Sequence, residues 1–139
     1  ALRSGKAAEL FARMVAALGG PTDILEQPEK YLATERLAEC EVQAVRSGYV
    51  SAMDTRAIGL LLVELGGGRT RPQDPIDHAV GFTQVLPLGH AVKAGQALAR
   101  VQARTPVQAE SFAQKLGALI NIADTAPVLS PIVNKRLGA

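Results

Sequence analysis

Residues 40–65 read CEVQAVRSGYVSAMDTRAIGLLLVEL, and this stretch contains both patterns that decide the fold. β-Branched residues lie on both sides of the turn dipeptide Ser47–Gly48, which predicts two short strands. Asp54 can then cap a helix that runs to Leu65, because a short acidic side chain accepts a hydrogen bond from the first turn. The helix has an apolar stripe that should face a core, namely Ile58, Leu61, Leu62 and Leu65.

The residues before this stretch predict one helix and a connector. From Ser4 to Leu18 apolar residues recur at helical spacing, with Ser4 as the N-cap and the glycines at 19 and 20 as the stop. The next segment contains two prolines and predicts at most short helical turns. The apolar stripe of the helix is expected to be core, and it consists of Ala7, Phe11, Met14, Val15 and Leu18.

Downstream, two strands and a second helix are predicted. Val80–Leu86 and Ala97–Arg104 have the composition and alternation of strands, and Val128–Leu137 offers a last extended segment. Thr105 should cap a helix that begins at Pro106, because Pro fits the first turn. The predicted buried face of that helix is Phe112, Leu116, Leu119, Ile120 and Ala123. Helices alternating with strand pairs predict an α+β domain with a mainly antiparallel sheet and packed helices.

The composition favours a globular domain and argues against nucleic acid as a partner. The length of 139 residues suits a single core, with 47% hydrophobic and 20% charged residues as in ordinary folded domains. Fifteen basic residues, scattered among 13 acidic ones, give a net charge of +2 and no basic stripe. Three Phe, two Tyr and no Trp leave little for stacking bases. We therefore expect no nucleic-acid partner.

Cysteine content and the start of the chain indicate the compartment. Cys40 is the single cysteine, so no internal disulfide and no cysteine metal cluster is expected. No run of about 18 or more apolar residues occurs, and the first residues have no signal-peptide layout. We expect a cytoplasmic protein that does not contact a membrane. The chain begins with Ala1 and almost directly enters a helix pattern, which suggests a piece of a longer protein.

The glycines at 66–68 and the arginines that follow are the most conspicuous local motif. Glycine amides can approach a phosphate closely, and two guanidinium groups can hold it, but the lysine and helix of a P-loop are missing. The alternative, which spacing alone favours, is a glycine helix stop followed by a solvated loop over Arg69–Asp77. The candidate cleft loop is therefore Gly67, Gly68, Arg69 and Arg71.

Other polar residues give no catalytic or metal site. His78 and His90 have no ligands at metal-binding spacing, so surface positions are the better interpretation. Asp74 and Asp77 can be combined with His78 as an acid/base set, but caps and loop residues explain them better, since no apolar surroundings would shift their pKa values. Cys40 is interpreted as a buried strand residue and not as a nucleophile.

Three stretches of the chain form an ordered set. The first is Ser4–Ala7 with Phe11, Met14, Val15 and Leu18–Pro21; the second runs from Ser47–Val50 through Met53–Gly59 to Leu65–Arg69; the third is Asp77–Gly81 with Gly89, Val92, Lys93, Gly95, Gln96 and Leu98. Together they resemble the C-terminal region of the thymidine and pyrimidine nucleoside phosphorylase family. Their order and spacing cover nearly the whole chain, so the resemblance is specific.

The resemblance implies an enzyme that uses inorganic phosphate to displace the base of a pyrimidine deoxyribonucleoside such as thymidine, giving the free base and deoxyribose 1-phosphate. It implies that residues 1–36 end a central α/β domain and that residues 37–139 form a hammerhead-like C-terminal domain. The groups that hold phosphate and base lie upstream in the family, so no catalytic or substrate-binding residue is assigned here. No cofactor is implied, since phosphate is a co-substrate.

The resemblance also implies partners and a role for the candidate loop. The partners are the remainder of the phosphorylase chain and a second subunit, joined through a helical domain that these residues lack. Displacement of a base builds charge on sugar and base, so groups on both walls of one cleft are needed, and this chain alone should be inactive. As a hypothesis, the Arg69–Asp77 loop faces that cleft and helps it to close.

Two rival interpretations remain open. Gly89–Leu98 resembles the hairpin entry of biotinyl and lipoyl carrier domains, but those need an exposed lysine in a tight turn, usually flanked by Met. The only methionines are Met14 and Met53, and no such turn follows. The other rival is a folding and interaction module of a larger chain, which is compatible with the phosphorylase interpretation.

Overall fold

The computed structural model describes residues 1–32, 37–131, 133 and 135. Contacts divide the chain into two units, Ala1–Arg36 and Leu37–Ala139, which are described separately. The assignment of the first to the end of a central α/β domain stays a prediction. Part of the predicted final extended segment, at 132, 134, 136 and 137, lies outside the described residues, and 128–131 belong to no helix or strand.

The first unit contains the predicted helix, with a different N-cap. Helix α1 spans Lys6–Ala17, and Gly5 occupies its N-cap in the left-handed conformation, with φ of 77°. The prediction that Ser4 caps the helix is wrong, because the Ser4 hydroxyl donates to the Ala1 carbonyl at 3.0 Å. At the other end Gly20 N–H donates to the Val15 carbonyl at 2.9 Å, which is the predicted glycine stop. A short helix, α2, follows over Pro28–Tyr31.

The apolar stripe of α1 is exposed within this unit. None of the helix residues is buried, and Phe11 and Met14 are 52% and 55% exposed. The expectation that the stripe is core is therefore wrong within the described residues 1–32, where only Ala7 and Val15 of the stripe are half-buried and none is buried. The predicted helix is confirmed, but the spacing of its apolar residues does not indicate whether another surface packs against them.

The second unit is built from two antiparallel sheets and two helices. Among the described residues its strands are Ala38–Gln43 (β1), Gly48–Met53 (β2), Gly81–Thr83 (β3), Ala91–Val92 (β4), Ala97–Ala103 (β5) and Ile120–Ala123 (β6). One sheet has the order β1-β5-β3 and the other β4-β2-β6. Every pairing is antiparallel. The predicted α+β class with antiparallel strands is confirmed, with two small sheets in place of one.

The turn at Ser47–Gly48 joins the two sheets. The strands before and after it are present as predicted, yet β1 pairs with β5 while β2 pairs with β4 and β6. The Ser47 hydroxyl accepts the N–H of Ala94 at 3.0 Å, which ties the turn to the β4–β5 connection. Gly48 has φ of 152° and lies against the backbone of Ala123. This turn therefore moves the chain between sheets and does not close a hairpin.

The helix after β2 begins as predicted and ends early. Helix α3 spans Thr55–Leu62, and the Asp54 carboxylate accepts the N–H of Ala57 at 2.9 Å. The chain then forms a wider, π-helical turn over Val63–Gly67, where Gly66 has φ of 108°. Leu65 is nevertheless buried beside Leu61, so the apolar stripe is continuous across the change in backbone.

The second half of the chain corrects two predicted boundaries. Thr105 caps helix α4, Pro106–Gly117, by accepting the N–H of Gln108 at 3.2 Å. The helix does not reach Ala123, because Ile120–Ala123 form β6 beside β2. β3 is also shorter than the predicted Val80–Leu86, since Gln84 has φ of 53° and ends the strand.

The core of the second unit lies where α4 packs against β1 and β5. The most deeply buried side chains are Leu116 of α4, Val50 of β2 and Val101 of β5. Both sheets and both helices therefore contribute to one core, which holds α3 and the glycines after it in place. No helix within the described part of the chain is long and apolar enough to cross a membrane.

Candidate functional site

The candidate loop is closed at its base by a backbone hydrogen bond. The Gly66 carbonyl accepts the N–H of Asp77 at 2.9 Å. A methyl group added to Gly67 would lie 2.7 Å from Leu62 Cδ1, and one added to Gly68 would lie 2.7 Å from Val63 Cγ2. These glycines thus allow the chain to fold back on α3, and their packing supports the interpretation as a helix stop.

Asp74 organises the tip of the loop. Its Oδ2 atom accepts the Thr70 hydroxyl at 2.5 Å, the Thr70 N–H at 3.2 Å and the Arg71 N–H at 2.8 Å. These donors favour the ionised carboxylate, with the Thr70 hydroxyl first, and hold the pKa of Asp74 below its ordinary value of 3.8. Asp74 is therefore a structural acceptor in a turn and not a group set up for proton transfer near neutral pH.

Asp77 anchors the far end of the loop to the sheet. Its two carboxylate oxygens accept Nε and Nη2 of Arg104, each at 2.6 Å, and Arg104 directly follows β5. One of the same oxygens also accepts the Ala79 N–H at 3.1 Å. A bidentate pair fixes direction as well as distance. The loop therefore leaves and rejoins the domain at defined points.

Arg69 and Arg71 both lie between the two ends of this loop, and both are exposed. Neither guanidinium forms an ion pair with any acidic side chain of the described residues. Two unneutralised cations thus lie in a loop whose base is fixed at Gly66 and Asp77. Such an arrangement can attract an anion.

The other candidate residues do not form a common site. His78 and His90 are both exposed. Within residues 1–32, 37–131, 133 and 135, no group of three or more His, Cys, Asp or Glu is placed to hold a metal ion. Cys40 lies in β1 and is half-buried, not fully buried as predicted. The anchor formed by Asp77 and Arg104 was not predicted from the sequence.

The hydrogen bonds of Asp74 give a pH dependence that can be measured. A depressed pKa in the folded state means that the Asp74 contacts stabilise the loop above the ordinary value of 3.8 and are lost as the pH falls through the lower folded value. We expect the amide protons of Thr70 and Arg71 to shift together in NMR spectra, with a midpoint below pH 3.8. Asp74→Asn should remove this titration, and a midpoint at or above 3.8 would contradict it.

The segment behind the carrier interpretation is an ordinary turn between two sheets. β4 pairs with β2 and β5 pairs with β1, so the residues between them cross from one sheet to the other. The Lys93 N–H donates to the Gln96 side chain at 3.1 Å within this turn. The likeness to a carrier hairpin is therefore local.

Comparisons with known proteins agree with the fold. Residues 49–123 match the family model described as the pyrimidine nucleoside phosphorylase C-terminal domain. A thymidine phosphorylase of Mesorhizobium japonicum is 50% identical over 136 residues, which are 98% of this chain and 31% of that protein. Thymidine phosphorylases of Agrobacterium fabrum and Rhizobium meliloti are each 44% identical over 99% of the chain. The chain thus spans about a third of the length of these relatives, and it belongs to the pyrimidine nucleoside phosphorylase family as a C-terminal part.

Proposed function

We propose that the chain is the C-terminal part of a thymidine phosphorylase, a pentosyltransferase of pyrimidine nucleoside salvage. The whole enzyme converts thymidine and inorganic phosphate to thymine and 2-deoxyribose 1-phosphate. The observation that supports this most is the 50% identity, over 98% of the chain, to a protein of that name. No cofactor is needed, because phosphate itself is the attacking co-substrate.

In this proposal the chain helps to build the enzyme, supplies no residue that breaks the glycosidic bond, and adds only the charges of its candidate loop to the phosphate side of the cleft. The remainder of the phosphorylase chain holds phosphate and nucleoside, and a helical domain there joins two subunits into a homodimer. The enzyme is cytoplasmic and glycosyl transfer takes place in a cleft between its domains. Residues 37–139 contribute a separately packed unit with its own core, which suits a supporting role.

The decisive experiment compares the 139 residues with the full-length protein. Phosphorolysis of thymidine is followed by the release of thymine, and we expect turnover by the full-length protein only. A cleft needs groups on both sides of the reacting bond, and the described residues offer the two exposed cations of one loop. Turnover by the 139 residues, free of contaminating enzyme, would contradict the assignment of catalysis to the rest of the protein.

The candidate cleft loop, Gly67, Gly68, Arg69 and Arg71, is proposed to face the phosphate side of the cleft in the closed enzyme. Its base is fixed by the pair of Asp77 and Arg104, so the free cations can lie in a repeatable position. Their positive charge would draw the phosphate dianion and would be neutralised as the cleft closes.

Replacing both arginines tests the loop in the full-length enzyme. A contact to a charged group contributes about 1.5–3 kcal/mol, so Arg69→Ala with Arg71→Ala should lower kcat/KM for phosphate by about tenfold or more. Arg56→Ala, an exposed arginine in α3, is the control and should leave this ratio unchanged. Unchanged turnover and phosphate affinity in the double variant would contradict the proposal that the loop faces the cleft.

A further inference from the structure

The two sheets of the second unit each leave a free edge beside one groove. Among the described residues β1 and β6 are outer strands, each with one paired neighbour. A groove of about 670 Å³ runs along both of them. From β1 it is lined by Cys40, Glu41, Val42 and Gln43, and from β6 by Ile120, Asn121 and Ile122.

The unbroken runs of lining residues show how the strands border the groove. Successive side chains of a strand point to opposite faces of a sheet. Four consecutive residues of β1 and three of β6 line one groove, as expected where a groove follows the outer edge of a strand and not one face of its sheet. The groove therefore lies between two strand edges that have no further strand partner among the described residues.

The other walls leave room for a peptide. Ala113 and Gly117, one turn apart in α4, and Ala118 at its C-cap are small residues that line the groove, beside Glu110 and Gln114 of the same helix. Val42 and Leu98 are nearly fully buried and form an apolar floor. The volume lies in the range of about 300–1,000 Å³ that holds organic ligands of moderate size. A groove with a strand edge, an apolar floor and small residues opposite suits an extended chain.

We propose that an extended segment of the same polypeptide, from the part outside these 139 residues, lies in the groove and adds a strand to β1. The inference rests on the proposed function only in needing a longer phosphorylase chain, of which this one spans 31% in the relatives. An open strand edge promotes aggregation, and proteins commonly cover such edges with another segment. Addition of a strand supplies main-chain hydrogen bonds, and alternate side chains enter the groove.

The charges on the rim indicate the chemistry of the segment. Glu41 is held by Arg100 at 3.1 Å, whereas Glu110 forms no ion pair with any of the residues that the structure describes. The segment should therefore place a basic residue near Glu110 and apolar residues over Val42. The C-terminal tail is a poorer occupant, because Leu129 lies beside Gly89, which precedes β4 at the opposite edge of its sheet.

Hydrogen exchange of the full-length protein tests the proposal. In an outer strand alternate amides point to water and exchange quickly, whereas every amide of an inner strand is bonded. We expect all amides of residues 38–43 to be protected in the wild-type full-length protein. Ala118→Trp, which fills the groove, should speed exchange of alternate β1 amides by about tenfold or more, equivalent to about 1.4 kcal/mol. Ala126→Trp, at an exposed position outside the groove, is the matched control.

Each other outcome overturns the inference. Fast exchange of alternate β1 amides in the wild-type protein would show an open edge, and this result does not depend on whether the Trp variant folds. Protection that grows with protein concentration would assign the groove to a second copy, and protection that needs added thymidine or phosphate would assign it to a small molecule. Hydrogen exchange does not require turnover, so the two proposals can fail separately. Fast exchange of β1 amides in an active enzyme contradicts this inference alone. Protected β1 amides in an inactive enzyme contradict only the proposed function.

Discussion

Gly48→Ala is expected to lower the free energy of unfolding of the second unit by about 2–6 kcal/mol, as the sum of backbone strain and overpacking. Gly48 has φ of 152°, a conformation that residues with a Cβ rarely adopt. An added methyl group would fall on the carbonyl oxygen of Ala123 and lie 2.9 Å from Ile122 Cγ2. Since the clash is with the backbone of β6, a rotamer change cannot relieve it.

The measurement is urea unfolding of the chain, with Gly59→Ala as the matched control. Gly59 lies in α3, and a methyl group added there would meet nothing within 4 Å. The same chemical change should therefore stabilise by about 0.4–1 kcal/mol, because it reduces the entropy of the unfolded chain. Equal stability of the two variants would mean that β2 and β6 do not approach each other as closely as the structure has them.

Local signals in the sequence were sufficient for most elements of the second unit. The caps at Asp54 and Thr105 need one side chain and a neighbouring N–H, so they are visible in the sequence and are confirmed. The family resemblance is confirmed for the same reason, since its motifs are local. The predictions that are wrong depended on residues that are distant in the sequence. Ile120 and Ile122 fit a helical stripe as well as a strand, and only the position of β2 makes them a strand.

The other features that were not predicted concern which strands pair and how the candidate loop is anchored. The turn at Ser47–Gly48 gives no information on which strands pair, so the passage between two sheets was not predicted. Asp77 and Arg104 are separated by 27 positions, and no spacing rule connects an aspartate in a loop with an arginine after a strand. The stripe of α1 shows the same limit, because helical spacing predicts which residues share a face and not whether that face is covered, and Phe11 and Met14 are exposed. Whether the candidate loop faces a cleft stays a prediction.

Leu116→Ala is expected to cost about 2–5 kcal/mol of stability, the usual range for a leucine whose removal leaves a cavity. Leu116 is 0% exposed and lies in α4, which packs against β1 and β5, so its loss weakens contacts that hold helix and sheet together. The small residues beside it on α4 offer little that can move into the space. This variant therefore tests whether α4 and the sheet share one core.

Leu60→Ala is the control for this variant, because Leu60 is 62% exposed and lies in a helix as well. The same truncation there should change the free energy of unfolding by no more than about 0.5 kcal/mol. Both values come from urea unfolding of the same chain, followed by circular dichroism. A small loss for Leu116→Ala would mean that α4 is not packed on the sheet in solution, and the groove between α4, β1 and β6 would then lack its wall. The stability of one leucine variant thus decides whether the groove is a property of the folded domain.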